Sequence, residues 1–198
     1  TDEAGVRGEG FATGVATADY DNDGFTDIFI AGVNRNILYR NRGDGTFEDV
    51  TVKAGLHIAG PKRPWSISAG WFDYDNDGHL DLLVVNYVTW IPEKEPFCGD
   101  LARNVRTYCH PKYYEGLPNI LYHNNGDGTF TDVSESSGIA SHIGKGMAVT
   151  FADYDNDGLL DVFVTNDTTP NFLFHNEGGG RFREVGLRAG VAFNEDGR

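Results

Sequence analysis

The sequence predicts an all-β protein built from four-stranded antiparallel sheets, each sheet being one copy of a repeated unit. Three observations predict this fold class. A nine-residue acidic segment occurs three times, an Asn-x-Leu-Tyr or Asn-x-Leu-Phe block follows each copy, and short apolar runs rich in β-branched and aromatic residues lie between them. Internal repeats are typical of architectures in which small units stack and bury a continuous core.

The composition limits the classes of function. The chain has 198 residues, of which 39% are hydrophobic and 13% aromatic, which is enough for a packed core. The formal net charge of −14 argues against nucleic acids and anionic membrane surfaces as partners. No apolar run approaches the roughly 20 residues that are needed to span a bilayer.

Each acidic segment has the pattern Asp-Tyr-Asp-Asn-Asp-Gly-x-x-Asp, with carboxylates at positions 1, 3, 5 and 9. Ca²⁺ takes about 6–8 oxygen ligands in irregular geometry. In a tight loop positions 1, 3 and 5 converge, the glycine at position 6 permits the sharp turn, and position 7 offers its backbone carbonyl. The sequence therefore predicts about three Ca²⁺ ions, one per repeat. The predicted ligands are Asp19, Asp21, Asp23, Phe25 and Asp27 in the first copy, Asp73, Asp75, Asp77, His79 and Asp81 in the second, and Asp153, Asp155, Asp157, Leu159 and Asp161 in the third.

Without a cation these carboxylates repel one another, since a pair about 4 Å apart costs on the order of 4 kcal/mol at an effective dielectric near 20. The alternative is an acidic turn that is held by Asx hydrogen bonds alone. An EF-hand requires Glu at position 12 and flanking helices. Position 12 is instead Ile30, Val84 or Val164, each within a strand-like run. The acidic segment is therefore predicted to be the turn of a β-hairpin.

The strands of each repeat can be placed in order. Strand 1 leads into the acidic segment, at Gly14–Ala18, Ser68–Phe72 and Met147–Ala152, and the apolar strand 2 leaves it. Strand 3 is the Asn-x-Leu block, and strand 4 follows an Asp-Gly turn, which is a hairpin signal. Four antiparallel strands per repeat are typical of a β-propeller blade. A two-sheet sandwich is the alternative, but it does not predict a repeated unit.

Two features of these strands indicate how the repeats pack. Strand 2 is continuously apolar, which is expected where neighbouring sheets cover both of its faces. Strand 1 is rich in alanine and glycine, which fits the crowded inner end of a blade.

The full pattern, Asp-Tyr-Asp-Asn-Asp-Gly followed by Leu-Tyr-x-Asn-x-Gly-Asp-Gly-Thr-Phe, resembles the FG-GAP/VCBS calcium-binding repeats of the integrin α-subunit head. In its detail it is similar to the bacterial and animal proteins related to cartilage acidic protein, the ASPIC/UnbV group. The resemblance covers nearly the whole chain and implies a secreted, calcium-stabilised β-propeller, commonly of seven blades, used for adhesion or binding. The third repeat departs from the pattern, because Gly179 and Gly180 replace Asp-Gly in the turn between strands 3 and 4.

The chain is predicted to be a single array of three blades over residues 1–198. Approximate repeats lie at residues 1–50, 51–133 and 134–185, and residues 186–198 begin a further repeat. Three blades cannot close a ring. Two interpretations remain open: the chain is part of a larger propeller of about seven blades, or chains stack head to tail in an assembly.

The second repeat carries an insertion at residues 87–118, which contains four of the seven prolines and both cysteines. Cys98 and Cys109 are predicted to form a disulfide, which indicates an oxidising, extracellular compartment. Free thiols, or zinc bound by both cysteines and His110, are the alternatives. Blade topology places the insertion and the Lys62–Trp65 linker at the end opposite the acidic segments. The aromatic residues there either bind a partner or fold the insertion onto its blade; they are Trp65, Trp90, Phe97, Tyr108, Tyr113 and Tyr114.

These observations predict an extracellular or cell-surface, calcium-binding structural or adhesion module that is not an enzyme. Its insertion-bearing end would bind a protein or glycan partner, and neither nucleic acid nor a membrane span is expected. One alternative is a self-assembling filament or surface-layer subunit. A second is a glycan-active propeller enzyme, which the mostly Ala, Gly, Thr and Ser composition of strand 1 disfavours.

Overall fold

The computed structural model describes residues 1–58 and 63–193 and shows three four-stranded antiparallel sheets. Short helical turns occur at Pro92–Lys94, Pro111–Tyr113, Ile139–Ser141 and Gly186–Ala189. The strands, in chain order, are β1 (Ala12–Ala18), β2 (Asp27–Gly32), β3 (Ile37–Asn41), β4 (Phe47–Asp49), β5 (Pro64–Phe72), β6 (Asp81–Thr89), β7 (Gly99–Asp100), β8 (Val105–Arg106), β9 (Leu117–Pro118), β10 (Ile120–Asn124), β11 (Phe130–Asp132), β12 (Ile143–Gly144), β13 (Gly146–Ala152), β14 (Asp161–Asn166), β15 (Phe172–Asn176) and β16 (Phe182–Glu184).

Each large sheet has the same strand order. The first sheet is β1-β2-β3-β4, the second β5-β6-β10-β11, and the third β13-β14-β15-β16. The all-β class and the four antiparallel strands per sheet are therefore confirmed. Within the described residues the three sheets do not form a closed ring, so a β-propeller and its number of blades stay predictions.

The hydrophobic core lies between the sheets, and β6 shows this best. Leu82 and Val84 pack with residues of the first sheet, such as Phe29, whereas Leu83 and Val85 pack with the third sheet. All four side chains are fully buried. Because successive side chains of a strand point to opposite faces, an uninterrupted apolar run is what a doubly covered strand requires.

The first strands of the three sheets lie side by side, since β5 packs against both β1 and β13. Little room separates them. A Cβ atom on Gly14 would lie 2.4 Å from the carbonyl oxygen of Ile67, and one on Gly70 would lie 2.4 Å from the Phe151 ring. The small residues of strand 1 therefore serve close packing, as their composition predicted.

A short turn before each sheet is hydrogen-bonded to the last strand of the same sheet. The carbonyls of Ala54 and Ser137 accept hydrogen bonds from the N–H groups of Phe130 and Phe182, at 2.9 and 2.8 Å. The carbonyl of Ala4 accepts from Phe47 in the same way, at 2.8 Å. Strand 4 of each sheet is therefore bonded to a chain segment that precedes strand 1 of that sheet.

The second sheet differs from the others between β6 and β10. β6 continues through Thr89, the third residue of the predicted insertion, and its edge pairs with Pro64 and Gly116. The small β7–β8 hairpin lies between Cys98 and Cys109, which form a disulfide with a Cα–Cα distance of 5.3 Å.

Two further sequence predictions concern the turns and the ends. The hairpin of β15 and β16 forms despite Gly179 and Gly180, with the backbone N–H of Glu177 donating to the carbonyl of Arg181 at 2.8 Å. Lys62 of the predicted linker and residues 194–198 of the predicted further repeat lie outside the described residues.

Candidate metal sites

The three acidic segments form nearly identical loops, here called loop 1 (residues 19–27), loop 2 (73–81) and loop 3 (153–161). In each, the Asp at position 1 accepts hydrogen bonds from the N–H groups of positions 5 and 6, at 2.8–3.1 Å. The Asp at position 5 accepts from the N–H of position 7, at 2.8–3.0 Å. These are the Asx hydrogen bonds of the simple acidic turn, and they fix the loop backbone.

Positions 4 and 6 of each loop have left-handed backbone. The asparagines at position 4 have φ between 57° and 62°, and the glycines at position 6 have φ between 86° and 89°. Asparagine and glycine adopt this region more readily than other residues. The Asn-Asp-Gly part of the pattern is therefore a requirement of the turn, whatever the loop binds.

The Asp at position 9 is the buried carboxylate of each loop. Asp27, Asp81 and Asp161 are at most 1% exposed. Each accepts one hydrogen bond from the N–H of the loop tyrosine and another from the asparagine that ends strand 3. Burial raises the pKa of Asp27 to about 6 and that of Asp81 to about 7, although the N–H donors partly oppose the shift. Positive charge nearby therefore favours the ionised forms of Asp27 and Asp81.

The carboxylates of each loop converge on a small region. Asp73, Asp75 and Asp77 bring one oxygen each within 4.8 Å of one another, and the position-1, position-3 and position-5 carboxylates of loop 3 do the same. In loop 1 the corresponding group is Asp19, Asp21 and Asp27. Such all-oxygen sets are what Ca²⁺ prefers.

One oxygen in loop 1 is not satisfied by protein groups. The Oδ1 atom of Asp21 is buried and has no hydrogen-bond partner in the described part of the chain. A buried, unpaired carboxylate oxygen is costly. The loop hydrogen bonds therefore do not account for every oxygen of the cluster, and the residues present fit a divalent cation. The carbonyl oxygens of Phe25, His79 and Leu159 stay predicted ligands.

Sequence reasoning missed the basic side chain beside each loop. Arg40, His123 and His175 immediately precede the asparagine that donates to the position-9 Asp, so pairing of strands 2 and 3 brings them to the loop. His123 Nδ1 lies 3.3 Å from Asp81 and 3.6 Å from Asp75. His175 makes the equivalent contacts at 3.1 and 3.6 Å. The signal was present in the sequence, because the two histidines occupy equivalent repeat positions.

Hydrogen bonds also connect one loop to the next. The Asn22 side chain donates to the carbonyl of Gly78 at 3.2 Å, and Asn76 donates to Gly158 at 3.1 Å. Below them, the buried amide of Asn124 donates to the carbonyls of Tyr20 and Leu80. The corresponding amide in the third repeat, Asn176, donates to Tyr74 and Leu160.

The insertion lies at the other end of the second sheet. Glu95 accepts from the Trp90 indole at 2.8 Å and from the Tyr114 hydroxyl at 2.5 Å. Trp65 packs edge-on against Trp90, with ring centroids 6.4 Å apart. These three aromatic residues therefore fold the insertion onto its sheet.

The other predicted aromatics of the insertion are exposed to solvent: Phe97, Tyr108 and Tyr113. They differ from Trp65, Trp90 and Tyr114 in leaving ring surface available to a partner.

Comparison with known proteins supports the repeat interpretation. A family model described as FG-GAP-like repeat matches residues 6–84, 113–164 and 153–198. Cartilage acidic protein 1 of Xenopus tropicalis and of Homo sapiens are each 25% identical over 228 aligned positions, which cover 89% of this chain. The alignments cover 35% and 34% of those proteins, so the chain spans about a third of the length of these curated relatives.

A structural match is weaker. A lectin of Agrocybe aegerita that recognises non-reducing terminal N-acetylglucosamine aligns with 85% of this chain and 50% of its own, at 20% identity and a TM-score of 0.28. At that TM-score the match carries no argument about this chain. Across residues 1–58 and 63–193, no helix combines the length and the apolar character needed to cross a membrane.

Proposed function

Because the chain belongs to the FG-GAP-like repeat family, we propose that its three acidic loops bind Ca²⁺ and that the bound ions stabilise the four-stranded sheets as blades of a β-propeller. The module is extracellular and non-catalytic, and it acts in structure or adhesion.

The observation that carries this proposal is the clustering of three carboxylates in each loop, from positions 1, 3 and 5 in loops 2 and 3 and from positions 1, 3 and 9 in loop 1. In each loop the position-9 carboxylate is buried and accepts hydrogen bonds from two backbone N–H groups, which hold it in place. A bound Ca²⁺ would add positive charge where several carboxylates face a single basic side chain. The residues that would hold it are the Asp residues at positions 1, 3, 5 and 9 of each loop, together with the position-7 carbonyl.

The propeller interpretation is supported by how the sheets stack. The second sheet is covered on both faces, and its first strand lies between the first strands of its neighbours. We place the repeats at residues 1–50, 51–133 and 134–185, with 186–198 opening a further repeat. The ring would be completed by further repeats of a longer protein, since the curated relatives are about three times as long.

The insertion-bearing end is the proposed partner-binding surface. Its disulfide fixes the β7–β8 hairpin, and its exposed rings, Phe97, Tyr108 and Tyr113, are the residue types enriched in recognition surfaces. A protein or a glycan is the partner class. The extracellular location is supported by the disulfide and by the similarity to cartilage acidic protein 1.

The proposal is tested by titrating metal-free protein with Ca²⁺ in a calorimeter and by following its mass by light scattering in calcium and in excess chelator. Saturable binding at whole-number stoichiometry, with a monomeric mass in both conditions, is the expected result. An Asp127→Asn variant is the matched control, because Asp127 lies in an exposed hairpin turn outside the loops. Absence of binding would overturn the proposal, and a large calcium-dependent assembly would favour the filament alternative.

A further inference from the structure

Loop 1 differs from loops 2 and 3 in the cation that faces it. Arg40 donates through Nε to Asp21 Oδ2 at 2.5 Å and through a terminal guanidinium nitrogen to Asp23 Oδ2 at 2.6 Å. One side chain therefore binds the carboxylates at positions 3 and 5, which are two of the predicted metal ligands. Charge-assisted hydrogen bonds of this kind are among the strongest that proteins make.

The carboxylates of loop 1 are arranged accordingly. In loops 2 and 3, the position-1, position-3 and position-5 carboxylates cluster within 4.8 Å. Among the described residues, the loop 1 group instead contains positions 1, 3 and 9, and Asp23 is not part of it. The carboxylate that is missing from the group is the one that Arg40 holds with its second hydrogen bond.

Arginine and histidine have different consequences at this position. A guanidinium is always charged and has no lone pair, so Arg40 opposes a metal ion and cannot ligate it. A neutral imidazole carries an acceptor nitrogen, and His123 and His175 each belong to a group with metal-ligand spacing. Loop 1 therefore differs from the other two loops in the chemistry of the basic side chain that faces it.

We propose that Arg40 is the built-in counter-ion of loop 1, so that the chain binds two Ca²⁺ ions tightly, in loops 2 and 3, and binds the third much more weakly. This inference rests on the proposed function and changes the number of equivalent sites. A divalent cation enters loop 1 only by releasing Arg40 from Asp21 and Asp23. The side chain can move away, because 38% of its surface is exposed.

The test is a calcium titration of the full chain and two reciprocal variants, with circular dichroism used to verify that each is folded. The wild type is expected to bind two ions tightly and a third at least about tenfold more weakly, as expected for a site that must first lose a direct charge contact. Arg40→His gives loop 1 the side chain of loops 2 and 3 and is expected to raise the number of tight sites to three. His123→Arg is expected to lower it to one.

Three equivalent sites in the wild type, or an unchanged pair of tight sites in Arg40→His, would overturn the inference and leave the proposed function intact. Absence of calcium binding in every folded variant would overturn both. If Arg40→His does not fold, the wild-type stoichiometry and His123→Arg still decide between two and three tight sites.

Discussion

The two ends of the second sheet are stabilised in different ways. At one end, loop 2 is held by backbone-to-carboxylate hydrogen bonds that recur almost unchanged in loops 1 and 3. At the other end, the insertion is held by one disulfide and by aromatic side chains that contact Glu95, and within the described residues no other sheet carries such a segment.

Because of this difference, the two ends are expected to respond to different solution conditions. The loop end concentrates negative charge, so under the proposed function its stability is expected to depend on a cation supplied by the solvent. The insertion end depends on a covalent link and on apolar packing, so it responds to reductant and not to chelator.

Removal of calcium is expected to have the largest effect. Each tight site contributes about 2.7 kcal/mol when free Ca²⁺ is 100 times its dissociation constant, so the loss over all sites amounts to several kcal/mol. Urea unfolding in calcium and in excess chelator measures it. Equal unfolding midpoints in the two conditions would remove the basis of the contrast.

Replacement of both Cys98 and Cys109 by Ser is expected to lower the free energy of unfolding by about 3 kcal/mol, because a short closed loop of the unfolded chain is released. The same loss is expected in calcium and in chelator, since the disulfide lies in the insertion and not in a loop. Thermal unfolding of the variant in both conditions is the measurement. A loss confined to the calcium condition would show that the two ends are coupled.

Asp75→Asn is expected to destabilise the protein only in calcium, by about the 2.7 kcal/mol of one tight site. Burial and the neighbouring Asp77 raise the pKa of Asp75, so its ionised form is disfavoured in the metal-free fold and the neutral amide relieves this cost. In chelator the variant is therefore expected to be as stable as the wild type or more so. Paired urea titrations measure both values.

Asp127→Asn is the control for this prediction. It removes a carboxylate from an exposed turn and is expected to change the free energy of unfolding by less than about 0.5 kcal/mol in either condition. An equal calcium-dependent loss in Asp127→Asn would mean that general acidity, and not the loop, is responsible.

Asn124→Ala is expected to cost about 1–3 kcal/mol, because it leaves the carbonyls of Tyr20 and Leu80 without their amide donor in a buried place. The loss should be present with and without calcium. Asn41→Ala is the matched control, since the side-chain amide of Asn41 donates to the carbonyl of Thr26 at an exposed position. Chemical unfolding of both variants measures the two losses. An equal loss would show that the hydrogen bond from Asn124 to Tyr20 of the preceding repeat adds nothing to stability.

The loops were predictable because their contacts are local. The carboxylate of Asp19 bonds to N–H groups four and five residues later, so spacing alone determines the turn. The four strands per sheet followed from the same repetition. The prediction ended β6 too early. Its last residues pair with Pro64 and Gly116, whose positions are set by the tertiary fold.

The role of the basic residues could not be predicted in the same way. Arg40 reaches Asp21 and Asp23 only after β2 and β3 pair, and the outcome depends on the direction and length of its side chain. The hydrogen bond from Asn124 to the carbonyl of Tyr20 requires, in addition, the placement of one sheet against another. Contacts of this kind depend on geometry that a single sequence does not contain.

The hydrogen bond from Asn124 to Tyr20 has a consequence for how the protein folds during synthesis. Asn124 lies 104 positions after the tyrosine whose carbonyl it binds, and Asn176 lies 102 positions after its own partner. A ribosome that adds about 5–20 residues per second needs about 5–20 s to cover such a distance. During that interval the carbonyl of Tyr20 accepts hydrogen bonds from water or from a non-native donor. Each repeat is thus completed by the one synthesised after it, so translation speed and chaperone protection bear on the yield of correctly folded protein.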